Sequence, residues 1–314
     1  MTVATNGSKP LVCVERVVHA FGARKIFTGL DLDLFGGEIY GLLGPNGVGK
    51  TTLMRAVSGR IRLAGGAIFI EGADIRREPS RLSAISFVPQ EIALYSHLTV
   101  KENMQVFAGA AGRPAARLIP ELLEKAGLQE RADQICGSLS GGYQRRLNIC
   151  VALLKRPRIL LLDEPTVGVD VDAREAIHRL LEDRKREDVA ILISTHDLDQ
   201  AESLCDRVGF LRQGRIVLEG RPQDLLRQTF GDRIEVTAVL RRPAEQSQFV
   251  ALQALGFEWR MSDEIWLSYQ GSEHIDAAEL SRRLSGSGLQ VREIRVREPD
   301  LTSLFSRVMQ EGLA

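Results

Sequence analysis

The sequence predicts an α/β fold in which a buried parallel sheet presents its polar residues at the carboxyl edge, followed by a smaller α+β unit. Three observations predict it. Short apolar runs over Glu38 to Leu43, Ile159 to Leu162 and Val189 to Ser194 alternate with helical stretches, as strands buried on both faces do. The first run leads directly into a glycine-rich turn and a helix over Lys50 to Ser58, which Gly59 stops. After Phe230 the pattern changes to β-α-β-β-α-β, which fits a ferredoxin-like unit.

With 314 residues, the chain has room for one large and one smaller domain. Its 44% hydrophobic and 26% charged residues are those of an ordinary globular protein. A formal net charge of zero supplies no field to attract nucleic acid or an anionic membrane surface. Met1 to Pro10 is polar, lacks the apolar centre of a signal peptide, and reads as a flexible tail. No apolar run approaches the roughly 20 residues that a membrane-crossing helix needs. The longest, around Ile159 to Leu162, is closed off by Lys155, Arg156, Arg158, Asp163 and Glu164. The chain is therefore expected to be soluble on its own account, with any membrane role exercised through a partner. Cys13, Cys136, Cys150 and Cys205 show no paired metal-ligand spacing, so buried free thiols in a reducing cytosol are expected.

Taken in order, Leu11 to Val18 and Leu30 to Phe35 read as strands, the second alternating Leu30, Leu32 and Leu34 with Asp31 and Asp33. Together with Ala67 to Ile70 they suggest an antiparallel sheet beside the core, with Phe21 in the turn between the first two. Gly44, Pro45, Asn46, Gly47, Val48, Gly49, Lys50 and Thr51 fit the phosphate-loop pattern G-x-x-x-x-G-K-[ST], so the core is a P-loop NTPase core. Phosphate oxygens need converging backbone N–H groups, and three glycines clear the approach. Lys50 adds a point charge for the outer phosphates, and Thr51 offers a hydroxyl to Mg²⁺ at a helix start whose dipole favours anions.

Thr99 and Glu102 have capping-box spacing, so a helix begins after Thr99. Arg113 to Gly127 reads as a second helical stretch interrupted by Pro120, and the middle region as a helical lobe. From Gly141 onward, Leu147, Val151 and Leu154 recur at helical spacing. The strand Ile159 to Leu162 ends in Asp163 and Glu164, a helix follows over Asp172 to about Arg186, and the strand Val189 to Ser194 delivers His196. Open parallel sheets bind ligands beyond their carboxyl edge, where Lys50, Asp163 and His196 all fall. Adjacent residues at a strand end point different ways, so Asp163 can help hold Mg²⁺ while Glu164 orients or deprotonates an attacking water.

Leu139, Ser140, Gly141, Gly142, Tyr143 and Gln144, just before the Asp163 strand, resemble the signature of ABC-type ATPases, the nucleotide-binding subunits of ABC transporters. The resemblance spans roughly Leu11 to Arg227 and includes Phe21, the phosphate loop, Gln90 in Phe87-Val88-Pro89-Gln90, the signature, Asp163 with Glu164, Asp170 and His196, in that order. It implies that ATP and Mg²⁺ are bound. Phe21 would stack on adenine, and the loop from Gly44 to Thr51 with the following Thr52 would hold the phosphates. Thr51, Gln90 and Asp163 would serve the metal, with Gln90 also coupling to a partner. Ser140, Gly141 and Gly142 would grip the γ-phosphate bound to a second copy, and Asp170 is counted with the nucleotide-contacting residues. Glu164, His196 and Lys50 would carry catalysis. Two subunits, identical or different, would close head to tail over two ATP molecules, and hydrolysis would reopen them. A polytopic transmembrane permease would be the further partner, placing the chain in the cytoplasm on the inner face of the membrane.

Three positions depart from the family pattern. Tyr143 stands where glutamine usually ends the signature, Val167-Gly168-Val169-Asp170 lacks the serine that often opens that loop, and Phe21 replaces the commoner tyrosine. None removes a charged catalytic group.

The ATPase domain is expected over residues 11–230 and the accessory domain over 231–314. In the latter, Arg233 to Leu240 reads as a strand, Gln246 to Leu255 as a helix, Phe257 to Met261 and Ile265 to Tyr269 as a hairpin, Asp276 to Leu284 as a helix, and Leu289 to Val296 as a strand with one wet sheet face. Glu298-Pro299-Asp300-Leu301, continuing to Phe305, resembles the ending of ATPases in the drug-resistance and nodulation-type export branch, which favours export. This domain would cover the dimer or regulate it. The rival readings are a soluble ABC-type ATPase acting on nucleic acid or ribosomes, and a nucleotide-dependent regulator. The single cassette, without heptads or a basic stripe, argues against the first, and no nucleic-acid partner is expected.

Overall fold

The computed structural model describes residues 9–257, 259–262, 264–271 and 276–310. All but the last two residues of the expected tail lie outside them, as does Glu258 of the expected hairpin. The chain divides into two compact units, one ending at Arg221 and one beginning at Pro222.

The first unit begins with β1 (Val12–Phe21), β2 (Arg24–Leu34), β3 (Ile39–Leu43), α1 (Lys50–Val57), β4 (Gly65–Ile70), β5 (Ala73–Asp74) and β6 (Ile85–Val88). A helical stretch follows with α2 (Val100–Ala111), α3 (Ile119–Lys125) and α4 (Gly141–Leu153). The remainder is β7 (Ile159–Asp163), α5 (Val171–Arg186), β8 (Ala190–Thr195), α6 (Leu198–Leu204), β9 (Arg207–Arg212) and β10 (Arg215–Gly220). Strands β2-β1-β4-β5 make the expected antiparallel sheet. The central sheet runs β10-β9-β3-β8-β7-β6, parallel except for β10 at one edge.

Every residue of β3, β7 and β8 is buried, which is why these strands read as unbroken apolar runs. On one face Tyr40, Leu42, Ile159, Leu161 and Leu192 share a core with Leu53, Met54 and Val57 of α1 and with Val12, Leu32 and Leu34 of the antiparallel sheet. Helix α5 packs against β8 and α6 against β3. The order β3-β8-β7 also sets the site. Leu43 pairs with Thr195 and Asp163 with Ser194, so three strand ends stop at one level.

Two local expectations are corrected. Pro120 does not interrupt a helix: a 3₁₀ stretch, Arg113–Leu118, passes into α3, and Pro120 occupies its first turn, where the missing N–H costs nothing. Phe21 is the last residue of β1 rather than a turn residue, because β2 already begins at Arg24, its register partner. The Thr99 capping box is present, with Glu102 N donating to Thr99 Oγ1 at 3.1 Å and Thr99 N donating to Glu102 Oε2 at 2.8 Å.

The second unit comprises α7 (Pro222–Phe230), β11 (Arg233–Leu240), α8 (Phe249–Ala254), β12 (Trp259–Ser262), β13 (Ile265–Gly271), α9 (Ala277–Gly286), β14 (Val291–Arg297) and α10 (Leu301–Gln310). Its strand order is β12-β13-β11-β14 with every pair antiparallel, the arrangement of a split β-α-β unit. Val236, Ala238 and Leu240 share a core with Leu252 of α8 and Leu280 and Leu284 of α9. The opposite face is polar yet not simply wet, since Glu235 within it is completely buried.

Truncating Leu192 to alanine removes a fully buried side chain from the central sheet. Urea unfolding should show a loss of about 2–5 kcal/mol. Burial raises the thiols of Cys150 and Cys205 to about 12, so both stay protonated at pH 8 and should react with a disulfide reagent only as the chain unfolds.

Candidate active site

The loop between β3 and α1 is shaped by its glycines. Gly49 has φ +119°, and a Cβ there would stand 2.8 Å from Ile26 Cγ2 and 3.0 Å from Phe27 Cε1, so only glycine lets the loop pack down on β2. Lys50, 6% exposed, then curls back over the loop. Its Nζ donates to the carbonyl of Gly44 at 2.7 Å and of Pro45 at 3.4 Å, and stands 3.7 Å from Glu164 Oε1. Burial lowers the Lys50 pKa, while the nearby charges of Glu164 and Asp163 oppose that shift. The ammonium is thus parked on carbonyls that an anion can replace.

The two carboxylates at the end of β7 diverge, as strand geometry requires. Asp163, 2% exposed, accepts a 2.5 Å hydrogen bond from Ser194 Oγ on the neighbouring strand. Glu164 takes a left-handed conformation with φ +49°, which costs a non-glycine residue about 1–2 kcal/mol. Three contacts hold it there. Its N–H donates to both the carbonyl and the hydroxyl of Ser194, each at 3.1 Å, and its own carbonyl accepts from Arg145 Nη2 at 3.1 Å. Its Oε2 then lies 2.9 Å from His196 Nδ1 on a ring that is half exposed.

Phe21, Asn46, Gly47, Gly49, Lys50, Thr51, Thr52, Gln90, Asp163, Glu164 and His196 line one pocket of about 400 Å³. The structure therefore brings together the loop, the ring, both carboxylates, the glutamine and the histidine. Gly44, Pro45 and Val48 belong to the same loop without lining the pocket. Ser140, Gly141, Gly142 and Asp170 lie outside it. Asp170 accepts from Ala173 N at 2.8 Å and caps α5, and a Cβ on Gly142 would stand 2.7 Å from that of Ala173. The first turn of α4 thereby lies close against the start of α5. Ser140 is exposed at the N-cap of the 13-residue α4 and makes no side-chain capping bond. A second cavity, about 410 Å³, opens at the opposite edge of the sheet beside Leu118, Arg156 and Arg184 and contains none of the expected residues.

Among the described residues no group of three or more His, Cys, Asp or Glu forms a metal cage. The donor set at hand, Thr51 with Asp163 and the exposed Gln90, suits Mg²⁺, which keeps waters and takes phosphate oxygens rather than an all-protein shell. Sequence reasoning missed Arg24, Ser194 and Arg145. Arg24 Nη2 donates to Gly47 O at 2.8 Å and lines the pocket beside Phe21.

The family described as ABC transporter matches residues 27–167. The linearmycin resistance ATP-binding protein LnrL of Bacillus subtilis is 32% identical over 302 residues, covering 93% of this chain and 96% of the relative. The chain belongs to the ABC transporter ATP-binding family. The Nod factor export ATP-binding protein I of Rhizobium meliloti (strain 1021) is 34% identical and covers 97% of this chain and 90% of itself. Among solved structures, an ATP-binding subunit of an ABC transporter aligns with a TM-score of 0.64 at 29% identity, covering 70% of this chain and 93% of that one. The cbiO1 protein of Clostridium perfringens, part of the ABC transporter complex cbiONQ, aligns with a TM-score of 0.64 at 27% identity, covering 71% and 92%.

Members of this ABC family bind and hydrolyse ATP, and the core fold here is theirs. The departure at Tyr143 has a local reason. The ring lies between the guanidinium groups of Arg131 and Arg146, each 4.2 Å from its centroid, and a hydrogen bond from Arg131 leads the causes that hold the phenol pKa below its usual value.

Replacing Ser194 with alanine strips the hydroxyl from both Asp163 and the Glu164 amide. Urea unfolding should register a loss of about 1–3 kcal/mol, the cost of leaving a buried polar group short of a partner.

Proposed function

We propose that the chain is the ATP-hydrolysing subunit of an exporter, driving a separate membrane-spanning protein. The observation that carries this reading is the split of the expected machinery. Lys50, Asp163, Glu164 and His196 share one pocket, whereas Ser140 stands exposed and uncapped outside it. A helix start with a glycine approach and an unused hydroxyl suits an anion, and an anion held in a second subunit is one it can meet head to tail. That subunit is a copy of this chain or a related partner.

Within one pocket, ATP phosphates enter the Gly44 to Thr51 cradle, with Thr52 beside it, and draw Lys50 from the loop carbonyls onto their oxygens. Phe21, half exposed, offers its ring face to adenine. Thr51, Asp163 and Gln90 would hold Mg²⁺, which would neutralise phosphate charge when bound. Glu164 Oε2 takes the proton of the attacking water, and His196, hydrogen bonded through Nδ1, fixes the direction of that carboxylate. Closure of the second subunit excludes water and adds Ser140, Gly141 and Gly142 to the transferred phosphate. Asp170, which caps α5, holds the base of that tip.

The direction of transport rests on the relatives, whose names refer to linearmycin resistance, daunorubicin resistance and Nod factor export. No described helix is long and apolar enough to cross a membrane, so the chain would reach the membrane's inner face through its partner.

Glu164→Gln should cut ATP turnover by about 10²–10⁴-fold while ATP binding persists, and Lys50→Ala should weaken ATP binding at least about tenfold. Steady-state hydrolysis and equilibrium nucleotide binding check both, and turnover retained in both variants would refute the reading. Affinity purification from detergent-solubilised membranes should recover a polytopic membrane protein. Recovery of ribosomes or RNA in its place would overturn the transport role.

A further inference from the structure

We infer that Arg145 is a positioning residue for hydrolysis, holding Glu164 and the Gln90 loop in register from the helix that begins at the exposed Ser140. This rests on the proposed role of Glu164 as the base. Arg145 is 3% exposed, yet the hydrogen bonds of its guanidinium run to main-chain carbonyls. Nη1 donates to Pro89 O at 2.7 Å, and Nη2 donates to Gln90 O at 2.7 Å and Glu164 O at 3.1 Å. One planar fork therefore joins two segments that are far apart in sequence and leave the ends of the paired strands β6 and β7 for the pocket.

Burying a guanidinium costs several kcal/mol, and apolar residues of similar size often stabilise a core as well or better. Stability alone is thus a poor reason for an arginine here. Geometry supplies a better one. The Glu164 backbone sits in the left-handed region, and its carbonyl direction sets where the side chain leaves the strand end. Without Arg145 the peptide can relax toward negative φ and carry Oε2 away from His196 and Lys50. Gln90 is held by its carbonyl, which leaves its side chain in the pocket. Lysine cannot reproduce the fork, because an ammonium on one stem does not span three carbonyls in a plane.

Arg145 is the fifth residue of α4, about 7.5 Å along the helix from Ser140 at 1.5 Å per residue. Engagement of that exposed tip therefore bears on the pocket through the same side chain.

The test uses the full chain carrying Arg145→Lys or Arg145→Gln, with kcat, KM, ATP binding and melting temperature measured for each. The expected result is a folded protein whose kcat falls about 10–100-fold, the effect of an ångström-scale misplacement, with KM and ATP affinity within about threefold. ATP binding in a Glu164→Gln background should likewise be the same within about threefold with and without Arg145→Gln. Unchanged kcat in folded variants overturns the inference. So does parallel loss of kcat and ATP affinity, or failure of both variants to fold, since either marks a structural role alone. If Glu164→Gln itself hydrolyses ATP at the wild-type rate, the role of Glu164 fails. Silent Arg145 variants beside a dead Glu164→Gln defeat only the present inference.

Discussion

A buried lysine and two buried carboxylates meet at the carboxyl edge of a parallel sheet, and the rest of the first unit is arranged to make that tolerable. Ionised groups out of water are costly unless each is matched by charge or hydrogen bonds. Lys50 is matched by loop carbonyls and Glu164, Asp163 by Ser194, and Glu164 by its neighbours on three sides. The parallel register is what permits this. Only because β3, β8 and β7 end together can a loop from one strand, a hydroxyl from the next and a carboxylate from the third reach one another. A one-residue slip would send alternate side chains to the other face and scatter the set.

On the proposed reading, the same strictness accounts for one half of the apparatus standing apart. A triphosphate brings several negative charges into a cradle whose own lysine already faces two carboxylates, so additional donors stabilise the transferring phosphate more than any single cradle can. The exposed Ser140 turn would add those donors, and Gly142 lets the helix it begins approach Ala173 of α5 closely. Rigidity at the base and exposure at the tip would suit the contact between subunits proposed above. This gives a physical reason for glycine at position 142 that is independent of any nucleotide.

The strands of this core were legible in the sequence because burial on both faces leaves an unmistakable apolar run, and the phosphate loop because its glycines answer a steric demand. Elements set by tertiary context were less legible. Pro120 carries the same letter whether it breaks a helix or starts one, and only the preceding 3₁₀ turn decides. Phe21 was recognisable as a ring near the site, yet the true length of β2 was hidden by Lys25 and Thr28, which do not alternate with Ile26 and Phe27 in a simple two-residue period. Arg145 and Ser194 left no signal at all. The partners of Arg145 are main-chain carbonyls and those of Ser194 an amide and a carboxylate on the next strand, groups that only the fold brings close.

The second unit follows a related logic on a smaller scale. Glu235 on β11 is fully buried, and its oxygens accept from Arg297 Nε at 2.7 Å, Tyr269 Oη at 3.3 Å and Ser303 Oγ. Arg297 ends β14, and its Nη1 also reaches Asp300, which in turn accepts from Ser303 N at 2.8 Å at the start of α10. Asp300 lies in the Glu298-Pro299-Asp300-Leu301 segment that stood out in the sequence, so that segment is explained by local physics: it turns the chain from β14 into α10 and fastens the helix to the central strand. The buried carboxylate also raises the Tyr269 phenol, after desolvation, and so keeps it a neutral donor. Removing one member of such a network leaves another buried and unpaired, which typically costs about 3–5 kcal/mol. One end of this polar face therefore fastens α10 through Glu235 and Ser303, while Glu293 and Arg295 farther along it pair with each other in contact with water.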